Sequence, residues 1–302
     1  MKKLLIACGI TLLGLQSASA QDADSWIPKQ LGVGIGVGTT GITIDASTTV
    51  NRWFGVRAGV NIMPKIKLST DFDLTTETGA DINQLTNDAR EINRINGKSI
   101  IDVPAEGFPE TIEAEGKLTN TTFHFLVDFY PSQSSSFHAT VGFYIGGKEF
   151  VSVYNKQAGI LKPVSQWNEA IYNPTDETKS AIEQNSIQTD IIGAELGDYF
   201  ITPDHDGNMK ATIEVNAFRP YLGIGFGRAV PRKNRVGCQF DLGVQFWGSP
   251  KVYVPTYDRE TNTYRRERLT ADRSGEGSDV LNLISNITVY PTMTLRFVGR
   301  IF

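Results

Sequence analysis

The sequence has little of the material from which three common classes of protein are built. It holds only two cysteines, Cys8 and Cys238, and the first lies in a segment that resembles a signal peptide. A disulfide framework within the exported chain is therefore excluded. After residue 15 the sequence has no long apolar run, which excludes a transmembrane helix. Its formal net charge is −4, and it has no basic patch of the kind that nucleic-acid binding requires.

Residues 1–20 show the three parts of a secretory signal peptide. Lys2 and Lys3 form the basic start, residues 4–15 form an apolar core, and Ala18-Ser19-Ala20 is a small-residue cleavage site. We therefore expect residues 21–302 to be the exported chain and to form one β-barrel domain. Loss of Lys2 and Lys3 would change the formal charge from −4 to −6.

Glycine is abundant, with 29 residues, and much of it alternates with bulky apolar side chains. The pattern is clearest at the two arms 222–226 and 236–246, where Leu222, Ile224 and Phe226 enclose single glycines. A period of two indicates strands with one bulky apolar face and one small or polar face. Such strands suit a narrow closed barrel whose outer surface contacts lipid.

The same pattern predicts eight strands in the whole chain. They lie near residues 31–37, 42–47, 56–62, 121–129, 137–146, 209–226, 236–246 and 290–302. A change of apolar parity within 209–226 predicts a bulge at Arg219-Pro220, and residues 279–288 have the spacing of a short amphipathic helix. Short and long connections alternate along the chain. The predicted fold is therefore all-β: an eight-stranded antiparallel up-and-down transmembrane β-barrel, with long external loops and a short helix before the last strand.

Four stretches carry a resemblance to a known family. They are Leu31-Gly-Val-Gly-Ile-Gly, Arg57-Ala-Gly-Val-Asn, Arg219-Pro-Tyr-Leu-Gly-Ile-Gly-Phe-Gly and the terminal Gly299-Arg-Ile-Phe302. They resemble small outer-membrane β-barrel proteins of Gram-negative bacteria, of the OmpX, OmpW and OmpA-barrel type. The resemblance covers the strands, about half of the chain, and implies location in the outer membrane in contact with its lipid. It also implies that Phe302 is the terminal aromatic residue that the insertion machinery of the family reads.

Several polar residues fall on the inward face of the predicted strands. They are Asp45, Arg57, His124, Asp128, Tyr144, Tyr221, Gln239, Asp241, Gln245 and Arg296. One interpretation is a proton path or a buried binding site. The other is a polar core, because a barrel of eight strands is only wide enough for side chains to fill, and charges inside it must pair.

No catalytic, cofactor-binding or metal site is predicted. The three histidines, His124, His138 and His205, cannot be combined with a serine and an acid into a catalytic set. The segment 204–208 resembles a calcium loop, but Val215 stands where a bidentate glutamate is required. We therefore interpret that segment as a polar turn.

Aromatic residues near the predicted strand ends suggest girdles at the two membrane interfaces. They are Trp53, Phe54, Phe129, Tyr130, Phe137, Phe246 and Trp247.

The loops 69–112 and 155–208 lack the strand period, apart from a helical spacing over 81–96, and are expected to be largely irregular. Each has nine acidic residues against three basic ones, so the expected role is a surface for an extracellular partner that is cationic or bridged by cations. A variable solvated surface is the alternative.

The sequence thus predicts a non-catalytic outer-membrane protein with a structural or surface-interaction role. Two other functions stay open: a soluble periplasmic lipocalin-like carrier, and a barrel conduit or enzyme for small hydrophobic or lipid molecules.

Overall fold

Eight strands close into an antiparallel barrel. The structure is a computed structural model that describes residues 30–132, 134–196, 199–258, 263–270 and 278–301. The expected signal peptide and Phe302 lie outside these residues. Numbered along the whole chain, the barrel strands are Leu31–Gly38 (β1), Gly41–Thr49 (β2), Phe54–Ile62 (β3), Thr121–Phe129 (β7), Phe137–Gly146 (β8), Phe218–Phe226 (β13), Val236–Phe246 (β14) and Val289–Arg300 (β17). They pair in the order β1-β17-β14-β13-β8-β7-β3-β2, so the predicted fold class is confirmed.

The period of two decides which side chains face lipid. In β1, Val33, Ile35 and Val37 are 43–59% exposed, whereas the glycines between them face inward. Strands of nine residues, rising ~3.3 Å per residue and tilted by ~40°, span about 23 Å, which matches the apolar band of about 25 Å expected of such barrels. Among the described residues, no helix is long and apolar enough to cross a membrane.

Inward-facing glycines make room for large polar side chains. A Cβ on Gly34 would lie 2.6 Å from Cζ of Arg296, and a Cβ on Gly243 would lie 2.6 Å from Cζ of Tyr221. The glycine repeat is therefore a steric requirement of a small barrel that holds an arginine and a tyrosine in its centre.

A second sheet continues the barrel wall at one end, and we call it the external sheet after the side of the membrane that the sequence predicts for the long connections. Its strands are Ile66–Asp73 (β4), Thr111–Leu118 (β6), Glu149–Asn155 (β9), Lys210–Glu214 (β12), Lys251–Asp258 (β15) and Thr263–Leu269 (β16). Their order, β16-β15-β12-β9-β6-β4, follows that of the barrel strands that they extend. The predicted bulge at Arg219-Pro220 is wrong in position, because the interruption lies between Glu214 and Phe218. There the backbone NH of Asn216 donates to the carbonyl of Trp247 at 2.8 Å.

The two long loops are folded, and the expectation that they are irregular is wrong. They contain the helices Ile82–Asn96 (α1), Lys162–Tyr172 (α2) and Asp176–Asn185 (α3), and a small sheet of Thr75–Thr76 (β5), Ile192–Leu196 (β10) and Tyr199–Ile201 (β11). Helix α1 begins after Asp81, whose side chain accepts from the NH of Asn83, and ends at Gly97 with a positive φ of 58°. The helix expected before the last strand is Ser278–Asn286 (α4).

One apolar core joins the two loops. It brings Leu85 and Ile92 from the first loop against Leu161, Val164 and Trp167 from the second, and all five are 0% exposed. We call the external sheet with these insertions the head. Because the first loop supplies eight and the second six of the buried residues of this core, the two form one folding unit.

Asp190 adds a polar link between the loops. Its carboxylate accepts the backbone NH of Thr78 at 3.0 Å, the Thr78 hydroxyl at 2.7 Å and the NH of Ala80 at 3.3 Å. Burial by itself would raise the pKa of Asp190, but the hydrogen bonds from Thr78, Ala80 and Ile191 outweigh it and hold the pKa below its ordinary value.

Candidate functional site

The barrel interior is the candidate site, and Arg57 on β3 lies at the centre of its first cluster. Its guanidinium donates to Asp128 on β7 at 2.7 Å and to both oxygens of Asp241 on β14 at 2.9 and 3.1 Å. Thr140 on β8 donates its hydroxyl to Asp128 at 2.7 Å. Arg57 is only 3% exposed and Asp128 is 0% exposed. Three strands that are distant in sequence are thus tied together by charge-assisted hydrogen bonds inside the wall.

His138 completes this Arg57 cluster. Its Nε2 lies 2.9 Å from Oδ1 of Asp241 and 3.1 Å from the side-chain amide of Gln239. One arginine thus faces two carboxylates, and the imidazole of His138 lies against the second of them. Ligand atoms of Asp128, His138 and Asp241 lie within 4.8 Å of one another, a spacing that could hold a cation, but the guanidinium of Arg57 already bridges the two carboxylates.

A second cluster is centred on Arg296 of β17. Its Nε donates to Asp45 at 2.7 Å, a second hydrogen bond joins its Nη2 to the same carboxylate, and the Ser47 hydroxyl accepts at 2.9 Å. Its Nη1 donates to the side-chain carbonyl of Gln239 at 2.9 Å. Since Gln239 also donates to Asp128 at 3.3 Å, this one amide joins the Arg296 cluster to the Arg57 cluster.

The external half of the lumen contains one buried charged side chain among the described residues, Arg219 on the inward face of β13. It is 0% exposed and donates to the side-chain carbonyl of Asn120 at 2.9 Å and to the backbone carbonyl of Gly147 at 2.6 Å. Amides, hydroxyls and an imidazole make up the other polar groups there. The amide of Asn61 donates to Thr122 at 3.1 Å and lies 3.0 Å from Nδ1 of His124. The rings of Tyr144 and Tyr221 meet edge to face at 5.4 Å. Beside them Gln245 is 1% exposed, and neither polar atom of its amide has a hydrogen-bond partner in the part of the chain that the structure describes.

The loop 227–235 folds inward at the mouth of the barrel opposite the external sheet, which we call the periplasmic mouth after its predicted side of the membrane. The backbone NH of Ala229 donates to the Tyr130 hydroxyl at 2.8 Å, and its carbonyl accepts from Ser47 at 2.7 Å and from Arg296 at 3.2 Å. Ala229 and Val230 are 0% exposed. Residues 231–235, which taken alone have the composition of a tight basic turn, thus belong to a longer loop that covers this mouth and is bound to the Arg296 cluster.

Aromatic rings pack at the junction with the head. Trp247 stacks on Tyr290 with ring centroids 4.9 Å apart and meets Phe150 at 4.9 Å. Two residues that were expected in the interfacial girdles are therefore buried and do not face lipid: Trp247 is 5% exposed and Tyr130 is 2% exposed. Phe54 and Phe129 do face outward, with centroids 5.4 Å apart.

Burial shows that bulk water does not reach the middle of the lumen. A water-filled pore would leave its lining accessible, yet Gln239 is 0% and Arg296 is 1% exposed. The structure places all the inward-facing polar residues named above inside the wall and brings them into the two clusters and the external half. It adds Ser47, Asn61, His138 and Thr140, which the sequence reasoning did not include. The signal for His138 was available, because it has the same strand parity as Tyr144.

The arrangement also decides one of the alternatives. A lipocalin-like carrier needs an apolar cavity inside and a polar surface outside. Here the interior is charged and filled, and side chains such as Phe226, 61% exposed, and Ile224, 52% exposed, lie outside. A soluble carrier is therefore excluded.

Comparison with known proteins gives distant similarities. A scan against protein-family models found no match, and a search of curated proteins found none either. Among solved structures the chain is similar to Acinetobacter baumannii CarO, with 14% identity and a TM-score of 0.41 over 92% of this chain and 99% of that one. It is also similar to CarO2 of the same species, with 12% identity and a TM-score of 0.41 over 90% of this chain and 98% of that one. A major outer membrane protein from Thermus thermophilus has 12% identity and a TM-score of 0.37 over 90% of this chain and 98% of that one. The closed eight-stranded wall, apolar outside and polar inside, is that of a small outer-membrane β-barrel protein.

Proposed function

We propose that this protein is a non-catalytic anchor in the outer membrane, exported by its cleaved signal peptide, that holds a folded acidic head at the cell surface. The observation that supports the proposal is that the chain has two structurally different parts, a barrel and a head. The barrel has a filled interior, and the head has an apolar core of its own. A filled barrel suits an anchor, and a folded insertion far larger than a hairpin turn suits recognition.

The filled interior supports the anchor half of the proposal. Every charged group of the Arg57 and Arg296 clusters has a partner of opposite charge within hydrogen-bonding distance. Opening a path for ions would require breaking these pairs, which is costly in a low-dielectric interior. Catalysis by this site would require access for a substrate, and Asp128 and Gln239 are 0% exposed.

The charge of the head supports the recognition half. Exposed acids such as Glu106, Asp176 and Glu183 lie on different parts of its surface. A cationic partner, or one bridged by divalent cations, would gain from this field, and its binding would weaken with salt.

Conductance measurements test the anchor. Purified full-length protein in planar bilayers should give no stable channel steps under conditions in which a general porin does. Regular conductance steps from the wild-type protein would overturn the proposal, because the interior would then be a path.

A headless variant tests recognition. Short turns should replace residues 66–117, 152–213 and 251–286 together, which keeps the junction residues Met63, Phe150, Val215 and Trp247. We expect this variant to insert and to migrate heat-modifiably, and to lose binding of fluorescent oligolysine that the intact protein shows at low salt. Glu106→Gln/Asp176→Asn/Glu183→Gln in the intact chain should weaken the same binding. If the intact protein binds oligolysine no better than oligoglutamate, the head does not recognise cations.

A further inference from the structure

The periplasmic end of the barrel carries a set of cations that neither the anchor nor the head explains. They come from the β2–β3 turn, the loop 227–235 and the end of β17. We call them the basic rim: Arg52, Arg228, Arg232, Lys233, Arg235 and Arg300. Among the described residues at this end of the barrel, no exposed side chain is acidic, and Asp128 is buried against Arg57.

The basic rim begins where the apolar surface ends. Phe226, 61% exposed, precedes Arg228 by two residues, and Val236, 64% exposed, directly follows Arg235. On the next strand Phe297 is 52% exposed and Arg300 follows three residues later. At ~3.3 Å per residue, the cations lie within about 10 Å of the outermost lipid-facing side chains along the strand. That is the depth of lipid phosphates.

Backbone contacts hold several of these side chains in place. Arg232 donates to the carbonyl of Arg52 at 2.9 Å, and Arg300 donates to the carbonyl of Arg232 at 2.7 Å. Arg228 donates to the carbonyl of Ser135 at 2.8 Å and stacks over the ring of Tyr130 at 4.7 Å. The guanidinium groups of the rim are thus held at defined positions beside the wall.

We propose that the basic rim binds the phosphate groups of anionic phospholipids in the periplasmic leaflet. Guanidinium groups have the donor geometry for phosphate oxygens. Pairs of aromatic rings lie on the wall beside the rim, Phe54 with Phe129 at 5.4 Å and Phe137 with Phe226 at 5.5 Å, and they offer an apolar surface to the acyl chains of a lipid bound there. Headgroup and chain are thus recognised at adjacent depths of one surface. The inference is independent of what the head binds.

Quenching of tryptophan fluorescence by brominated lipids tests it. The full chain, carrying Trp26→Phe, is reconstituted into phosphatidylcholine vesicles with increasing fractions of dibromo-phosphatidylglycerol or dibromo-phosphatidylcholine. Trp53, beside Arg52 at 5.9 Å, reports the rim, whereas Trp167 and Trp247 are buried. We expect half-maximal quenching by the anionic lipid at an at least fivefold lower mole fraction, about the contribution of a single basic residue at an anionic surface.

Two triple variants complete the design. Arg232→Gln/Lys233→Gln/Arg235→Gln should bring the two lipids within twofold of each other. Lys98→Gln/Lys162→Gln/Lys210→Gln removes the same charge from exposed positions of the head and should leave the preference intact. Heat-modifiable migration verifies that each variant is folded. Equal quenching by both lipids in the wild-type background, or an unchanged preference in the rim variant, would overturn the proposal. In the first case an acidic periplasmic polymer becomes the candidate partner of the rim.

Discussion

Replacing Arg57 with methionine is the sharpest test of the interior. Methionine keeps an unbranched apolar stem and removes the guanidinium. Asp128 and Asp241, which now share the guanidinium at 2.7 and 2.9 Å, would then face each other without the charge that joins them. Breaking a buried pair by removing one partner costs about 3–5 kcal/mol, because a charge is left uncompensated. We expect a loss of unfolding free energy in that range.

The assay is urea unfolding of the barrel in phospholipid vesicles, followed by the fraction that keeps heat-modifiable migration. Arg94→Met is the matched control, since Arg94 lies on the head with 71% of its side chain exposed and pairs only with Glu91 at the surface. Its loss should be within about 1 kcal/mol. A triple variant, Arg57→Met/Asp128→Asn/Asp241→Asn, should recover much of the stability because no buried charge remains unpaired.

Two results would refute this reasoning. A cost for Arg57→Met no greater than that of Arg94→Met would mean that water solvates the two carboxylates, and hence that the lumen is open. A triple variant as unstable as the single one would mean that the guanidinium acts through packing and not through charge.

Three further predictions concern the lipid face, an unpaired amide and the link between the loops. Val141, 53% exposed at mid-strand, faces the bilayer centre, so Val141→Arg should lower the free energy of unfolding in vesicles by about 2–4 kcal/mol. Leu68→Arg, on the external sheet, should lower it by less than about 1 kcal/mol. Equal losses for the two variants would contradict the assignment of this face of β8 to lipid. Gln245→Leu removes two buried polar atoms without partners and should raise the urea midpoint or leave it unchanged; a clear fall would reveal a partner for this amide. Asp190→Asn should destabilise the head by about 1–3 kcal/mol at pH 7 in protease-resistance assays, whereas Glu183→Gln should have little effect. Because the folded pKa of Asp190 is lowered, its contribution is fully present above the unfolded pKa of about 3.9 and is lost as the pH falls through the lower, folded pKa. A difference between Asp190→Asn and wild type that persists far below pH ~4 would contradict the charge assignment.

Strand parity carries most of what the sequence reveals about the barrel. The side-chain period of a strand is two, so a local pattern is enough to decide which residues face lipid. That is why the alternation near Leu222 and Ile224 predicts a lipid-facing strand without any knowledge of its neighbours. Parity does not decide which inward residues meet. The pairing of Arg57 with Asp241 depends on strands that are 184 positions apart.

The inward loop at the periplasmic mouth could not be predicted for the same reason. Residues 231–235 read as a tight basic turn, and Ala229 and Val230 give no local signal. Their burial depends on hydrogen bonds of Ala229, which accepts from Ser47 and donates to Tyr130, and both partners belong to other parts of the barrel. The helices of the head were predicted only in part, because the apolar residues of each loop form only a part of the core. Leu85 and Trp167 become buried in that core only after the two loops have packed together.

This sharing of one core changes how the loops must be understood. Two independent surface loops could vary or be deleted one at a time, since surface loops tolerate length changes. Here the removal of either loop would expose residues such as Ile92 or Val164, each 0% exposed, and would also break the link at Asp190. The strands of the external sheet have the same order as the barrel strands that they extend. The head is therefore connected to the barrel wall through several neighbouring strands and not through a single linker. A surface that is held by its own core and by the barrel beneath it is ordered before it meets a partner, which lowers the entropic cost of binding.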